Sequence, residues 1–108
     1  MGRNQSVFSK RLREARIKAG LSQKKLGLIA GIDEFTSSPR INQYERGVHS
    51  PDYTTAERLA KVLNVPVPYF YTRDDQLAAM LLIIAKLSNE DKRTLLASLR
   101  KRVGEKPS

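Results

Sequence analysis

The sequence predicts an all-α chain, five helices forming one domain and then a helical hairpin. Three observations carry this. Apolar residues recur at helical spacing, as in Leu26, Ile29 and Ala30, or Ala56, Leu59, Ala60 and Leu63. Capping residues stand where these segments begin and end, Ser or Asp before them and Gly or Asn after. No stretch alternates with the period of a strand, and there is no internal repeat or low-complexity tract.

Residues 1–6 read as a loose arm, and 7–19 as the first helix, with Ser6 as its cap and Gly20 as its stop. Phe8, Leu12, Ala15, Arg16 and Ala19 share one face, and Lys10, Arg11, Arg13 and Lys18 lie around the rest. Arg16 interrupts the apolar stripe, and a charge there needs a partner. Ser22 caps a second short helix, and Gly31 ends it in a left-handed conformation that glycine reaches cheaply. In the connection that follows, Phe35 is expected to pack down as a local anchor. Ser38 is expected to cap a third helix with Pro39 at its first position, and Gly47 stops it. The expected core row of this pair is Leu26, Ile29, Ile41 and Tyr44. Two helices this short cannot fold alone, so the rest of the chain must complete their core.

Pro51 and Asp52 start a fourth helix that Asn64, Pro66 and Pro68 end. Tyr69 and Phe70 sit in a short fifth helical turn that closes the core. Thr72 with Asp75, and later Ser88 with Asp91, have the spacing of a capping box, although Asp is shorter than the usual Glu. They are expected to open a helix running to about Leu87 and a last helix with Leu95, Leu96, Leu99 and Val103 on one face. The division predicted is therefore an arm at 1–6, a domain at 7–71, a hairpin at 72–103 and a disordered tail at 104–108.

At 108 residues the chain makes one domain with at most a small appendage, too small to enclose a large substrate cavity. It has no cysteine, which excludes disulfides, thiolate metal sites and cysteine nucleophiles and fits a reducing cytoplasm. The longest apolar run, Leu77 to Ala85, is too short to span a bilayer. No signal peptide is visible at residues 1–6, so a cytoplasmic location without membrane attachment is expected. The net charge of +9 is unevenly spread: residues 1–50 carry +6, 51–89 are neutral and 90–108 carry +3. A basic half beside a neutral middle points to a polyanion, nucleic acid first, or else to a solvated basic face. Asp33 with Glu34 and Asp74 with Asp75 are neighbours that diverge on a helix, so they read as cap and loop residues. No acid–base constellation, phosphate-cradling glycine loop or metal cluster is visible, and neither enzyme activity nor a cofactor is expected. The single His49 has no second histidine to share a metal.

Residues 12–71 resemble the helix-turn-helix regulators of the Cro and phage-repressor (Xre-like) family. The resemblance rests on LREARIKAGLSQKKL, AGI, INQYERG, SPD, RLAKVLNVP and YFY, in order and covering over half the chain. Two departures stand out. Gly27 occupies a position that is usually Ala, which keeps the site small but weakens the helix by roughly 1 kcal/mol. The connection from Gly31 to Ile41 is about four residues longer than the family pattern, where such turns are short.

The resemblance implies a lambda-repressor-like DNA-binding fold whose third helix enters the major groove. Its early residues, Ser37, Ser38, Arg40, Asn42 and Gln43, would then face base edges. Arg40 suits the two acceptors of guanine, and Gln43 or Asn42 suits adenine; otherwise these residues solvate an exposed helix. Gln23 would meet a phosphate at the start of the second helix. Arg13, Lys24 and Lys25 are either added phosphate contacts or solvated, and Arg46 and His49 sit where the family's loop meets the DNA backbone. Arg16 and Glu45 would form a structural ion pair, which explains the break in the apolar stripe.

Beyond the resemblance, AAMLLIIA is apolar on nearly every side, more than one helix face needs. Residues 77–99 either join two chains or complete the core within one. A homodimer would suit a palindromic operator with half-sites one helical turn apart. The function expected is a sequence-specific duplex-DNA-binding transcriptional repressor acting by operator occupancy. The alternative is an antitoxin or adaptor whose hairpin binds a different protein.

Overall fold

The computed structural model describes residues 6–106; most of the expected arm (1–5) and the last tail residues (107–108) lie outside it. The described residues form six α-helices and one 3-10 helix, with no strand among them. α1 is Val7–Lys18, α2 Gln23–Ile29, α3 Ser37–Glu45 and α4 Tyr53–Leu63. The expected fifth helical turn is the 3-10 helix Val67–Tyr71, followed by α5, Asp75–Ile84, and α6, Asn89–Arg102.

Local chemistry sets most boundaries. The side chains of Ser6, Ser22, Asp52 and Ser88 accept backbone N–H groups at the starts of α1, α2, α4 and α6. Gly31 closes α2 at φ +92°, and Ile32 turns back to donate to the Gly27 carbonyl at 2.8 Å. The central core takes one fully buried side chain from each of the first five elements: Leu12, Leu26, Ile41, Leu59 and Phe70. Each contributes about 1.5–3 kcal/mol by leaving water. Phe8 and Phe70 pack as a tilted ring pair, 4.8 Å between centroids and 54° between planes.

The connection between α2 and α3 departs from expectation. Phe35 does not pack down; it is 86% exposed. Asp33 turns the chain itself, its carboxylate accepting from the Phe35 N–H at 3.0 Å and its carbonyl from the Thr36 N–H at 3.1 Å. That turn leads straight into α3, so Ser38 is not the cap. Thr36 occupies that position in a helical conformation without a side-chain cap bond. Pro39 falls in the first turn, where a missing N–H removes no helical bond. Ile29 is not in the core row either: it is 53% exposed, because seven residues of α2 turn only Leu26 and Gly27 inward. Ala19 is likewise exposed.

The C-terminal half differs in detail. Asp74, not Thr72, caps α5, accepting from the Leu77 N–H at 2.9 Å; the Thr72 hydroxyl donates instead to the Pro68 carbonyl at 2.7 Å. α5 stops at Ile84, short of Leu87. Ala78 is its one buried residue, and α6 has none. The apolar α5 and the leucine face of α6 therefore do not bury each other. The radius of gyration is 16.2 Å and the long axis 52 Å, against about 13 Å for a compact domain of this length. Of the expected tail, Glu105 is fixed to α6: its N–H donates to the Arg100 carbonyl at 2.8 Å and its carboxylate stands 3.5 Å from Arg100.

Arg11, expected on the solvated side of α1, is 5% exposed. Its guanidinium donates to the carbonyls of Thr72 and Arg73 at 3.0 Å each and to the Asp75 carboxylate at 2.9 Å. It also lies 5.6 Å from the centre of the Tyr69 ring. This set of bonds ties the start of α5 to α1.

Candidate nucleic-acid interface

α2 and α3 pack against each other through the smallest residues available to them. A Cβ on Gly27 would stand 2.0 Å from Ser37 Oγ and 3.0 Å from Ser37 Cβ. The serine fills the space an alanine methyl would take, and its hydroxyl donates to the Lys24 carbonyl at 2.7 Å. Ser37 is fully buried by this arrangement. It cannot face base edges, which corrects its place among the expected base-reading residues.

A polar network then fixes the angle between the two helices. Arg16 donates from Nε to Glu45 Oε2 at 2.6 Å and from Nη2 to Oε1 at 3.0 Å, a two-pronged pair in which Glu45 is 5% exposed. The third guanidinium nitrogen donates to the Leu21 carbonyl at 2.9 Å. The Gln23 amide donates to the free side of Glu45 Oε1 at 3.2 Å and to Asn42 Oδ1 at 3.3 Å. Ser38 Oγ lies 3.5 Å from Gln23 Oε1, the long end of hydrogen-bonding distance. Gln23, Ser38, Asn42, Glu45 and Arg16 thus meet at one junction of α1, α2 and α3. No buried side-chain nitrogen or oxygen among the described residues lacks a partner.

Ser9 belongs to the same device. Its hydroxyl donates to the Tyr44 carbonyl at 2.8 Å. Ser9 and Arg16 are seven residues apart, so they share a side of α1. That spacing was a signal in the sequence; for Arg11 there was none, since its acceptors lie 61 to 64 residues away.

The outer side of α3 is left to solvent. Pro39, Arg40 and Arg46 are exposed, and Gln43 is half-buried. Arg40, Gln43 and Arg46, three residues apart, run along one flank of the helix. Arg40, Arg46, Arg13, Lys24 and Lys25 are all exposed and form no ion pair among the described residues. Arg13 shares no hydrogen bond with the junction. His49 is exposed in the loop after α3, its N–H 3.4 Å from the Gln43 carbonyl. Nothing among the described residues clusters as metal ligands, and no helix is long and apolar enough to cross a membrane.

The arrangement is a short helix locked on its inner side and cationic on its outer side. Known proteins match it. The helix-turn-helix family profile covers residues 12–70. The chain is 28% identical over 94 residues to the cryptic phage CTXphi transcriptional repressor RstR of Vibrio cholerae, spanning 82% of this chain and 81% of the relative. It is 34% identical over 61 residues to an uncharacterized HTH-type transcriptional regulator of Sinorhizobium medicae, but spans only 41% of that protein. The crystal structure of the transcriptional regulator BswR superposes with a TM-score of 0.79 at 47% identity, covering 86% of this chain and 92% of that one.

Proposed function

The chain belongs to the Cro-like (Xre) helix-turn-helix family of transcriptional regulators, and from that premise we propose that it is a repressor that acts by occupying a specific operator. It carries the family's helix-turn-helix DNA-binding domain and is not an enzyme. The observation that supports base reading is the two-sidedness of α3. Its inner residues Ile41, Tyr44 and Glu45 are buried, while Arg40, Gln43 and Arg46 hold no carboxylate. A fixed helix with free donors is what discrimination between base edges requires.

In this reading Arg40 meets guanine and Gln43 meets adenine, with Ser38 and Asn42 beside them. The Gln23 side chain and the start of α2 face a phosphate, and Arg13, Lys24, Lys25, Arg46 and His49 follow the backbone. Cations at those places make affinity fall steeply with salt. Ser38 and Asn42 already bond to Gln23, so their contacts to DNA are shared with the junction. Protection of a promoter segment from nuclease, lost on raising salt, supports this function; absence of binding to any duplex at low salt refutes it.

The functional unit proposed is a homodimer joined through residues 77–99, reading a palindromic operator. Leu77, Met80 and Ile83 of α5 and Leu96 and Leu99 of α6 are all exposed, and apolar residues repeated along a helix face favour a partner that covers them. α6 begins with Glu90 and Asp91 and ends with Arg100, Lys101 and Arg102. Antiparallel pairing of two copies of α6 would therefore set acidic starts against basic ends. The same exposed surface is what favours the second reading, an antitoxin or adaptor that covers it with a different protein. Co-purification of an unrelated chain in fixed stoichiometry would favour that reading, and a self-associating pure protein would favour the homodimer.

A further inference from the structure

Phe35 is the most exposed large apolar side chain among the described residues, whereas Phe8 and Phe70 are buried. Its turn is firmly built by the two bonds to Asp33, and the Thr36 hydroxyl lies 3.4 Å from the same Asp33 carbonyl. The Arg40 N–H then takes up the Thr36 carbonyl at 2.9 Å, so the turn runs into α3 without a break. Phe35 therefore stands immediately before the Thr36 cap, at the end of α3 whose first turn carries the exposed Pro39 and Arg40. Pro39, in the first turn of α3, is exposed as well and offers only an apolar ring. The approach to α3 thus exposes two apolar rings, Phe35 and Pro39, among polar neighbours.

One group in the major groove rewards an apolar contact of this kind, the C5-methyl of thymine. One Asp33 carboxylate oxygen is taken up by the Phe35 N–H, and the ring is the large apolar group this turn exposes. We propose that Phe35 reads the methyl group of a thymine adjacent to the base pairs met by Arg40 and Gln43. This rests on the reading of α3 as the base-reading helix and adds an apolar element to it.

The test uses the full chain and the tightest duplex selected from a random pool, with each thymine replaced singly by deoxyuridine, which lacks only the methyl. Wild-type protein should lose about fourfold in affinity at one thymine per half-site, the value of one buried methyl group. Phe35→Ala should bind the thymine and uracil duplexes equally. It should also melt with wild type, because the ring is outside the core. Insensitivity of wild type to every replacement overturns the proposal. So does a uracil effect that persists undiminished in Phe35→Ala, or a loss in that variant equal for selected and random duplexes. If wild type selects no duplex at all, the base-reading function itself fails.

Discussion

Gly27 and Ser37 divide one small space between α2 and α3, and the division sets a direction for substitution. Gly27→Ala gains helix propensity but drives a methyl into Ser37 Oγ at 2.0 Å. It should destabilise by about 1–3 kcal/mol, as overpacked cores do. Adding Ser37→Gly removes two of the three atoms the methyl meets, leaving the backbone Cα at 3.2 Å, and should recover part of the loss in a double-mutant cycle by urea unfolding. Arg16 and Glu45 act in the opposite sense, as a buried pair whose members depend on each other. Arg16→Ala leaves the Glu45 carboxylate, at 3% side-chain exposure, without its guanidinium. A loss of about 3–5 kcal/mol is expected, and an unchanged melting temperature would remove the pair from the fold. The pair follows from resemblance to the family, and the break in the α1 stripe already asked for a partner. The burial of Ser37 was not legible, because it depends on how closely α2 and α3 approach rather than on spacing along α3.

At the level of elements, helix starts were readable where a single Ser or Asp stands before a periodic segment, as at Ser6, Ser22, Asp52 and Ser88. They were misread where two candidates compete. Asp74 displaces Thr72 at α5, and the Asp33 turn makes a Ser38 cap unnecessary at α3. The link between α1 and α5 through Arg11 was invisible, since most of its acceptors are backbone carbonyls, which carry no residue identity. That link has a pH signature at Asp75. The hydrogen bond from Arg11, then the charges of Lys10 and Arg11, hold the Asp75 carboxyl below its ordinary value of 3.8. A depressed folded value stabilises the protein above the unfolded value, and the contribution is lost as pH falls through the folded value. Wild type should therefore resist urea slightly better than Asp75→Asn at pH 7, and the gap should close below pH 3.8. A gap that stays constant down to low pH would exclude the carboxylate as its source. For α5 and α6 the excess of apolar residues was plain in the sequence, and what covers them is a matter for the assembly. Leu96→Asp with Leu99→Asp should leave the helical content unchanged, both residues being exposed, while reducing the mass seen by light scattering to that of one chain. A wild-type protein that is already monomeric at every concentration would remove the homodimer.

Over the whole molecule, the basic half and the neutral middle of the sequence correspond to different surfaces. Cations without ion-pair partners lie on the helix-turn-helix and again along α6, whose Leu96 and Leu99 are exposed beside them. The order of helices was legible because each motif is local. The course of the long connection and the outward placement of Phe35 were not, because a turn residue's side is set by the turn's own hydrogen bonds. The central claim, that α3 selects bases and two chains do so together, is tested most directly by selecting bound sequences from a random duplex pool. Wild type and Arg40→Ala should be carried through in parallel. The expected result is an inverted repeat with half-site centres about 10 base pairs apart. In the variant, one position per half-site should relax, at about 1–3 kcal/mol. A pool without enrichment, or an Arg40→Ala profile weakened equally at every position, would contradict base reading by this helix.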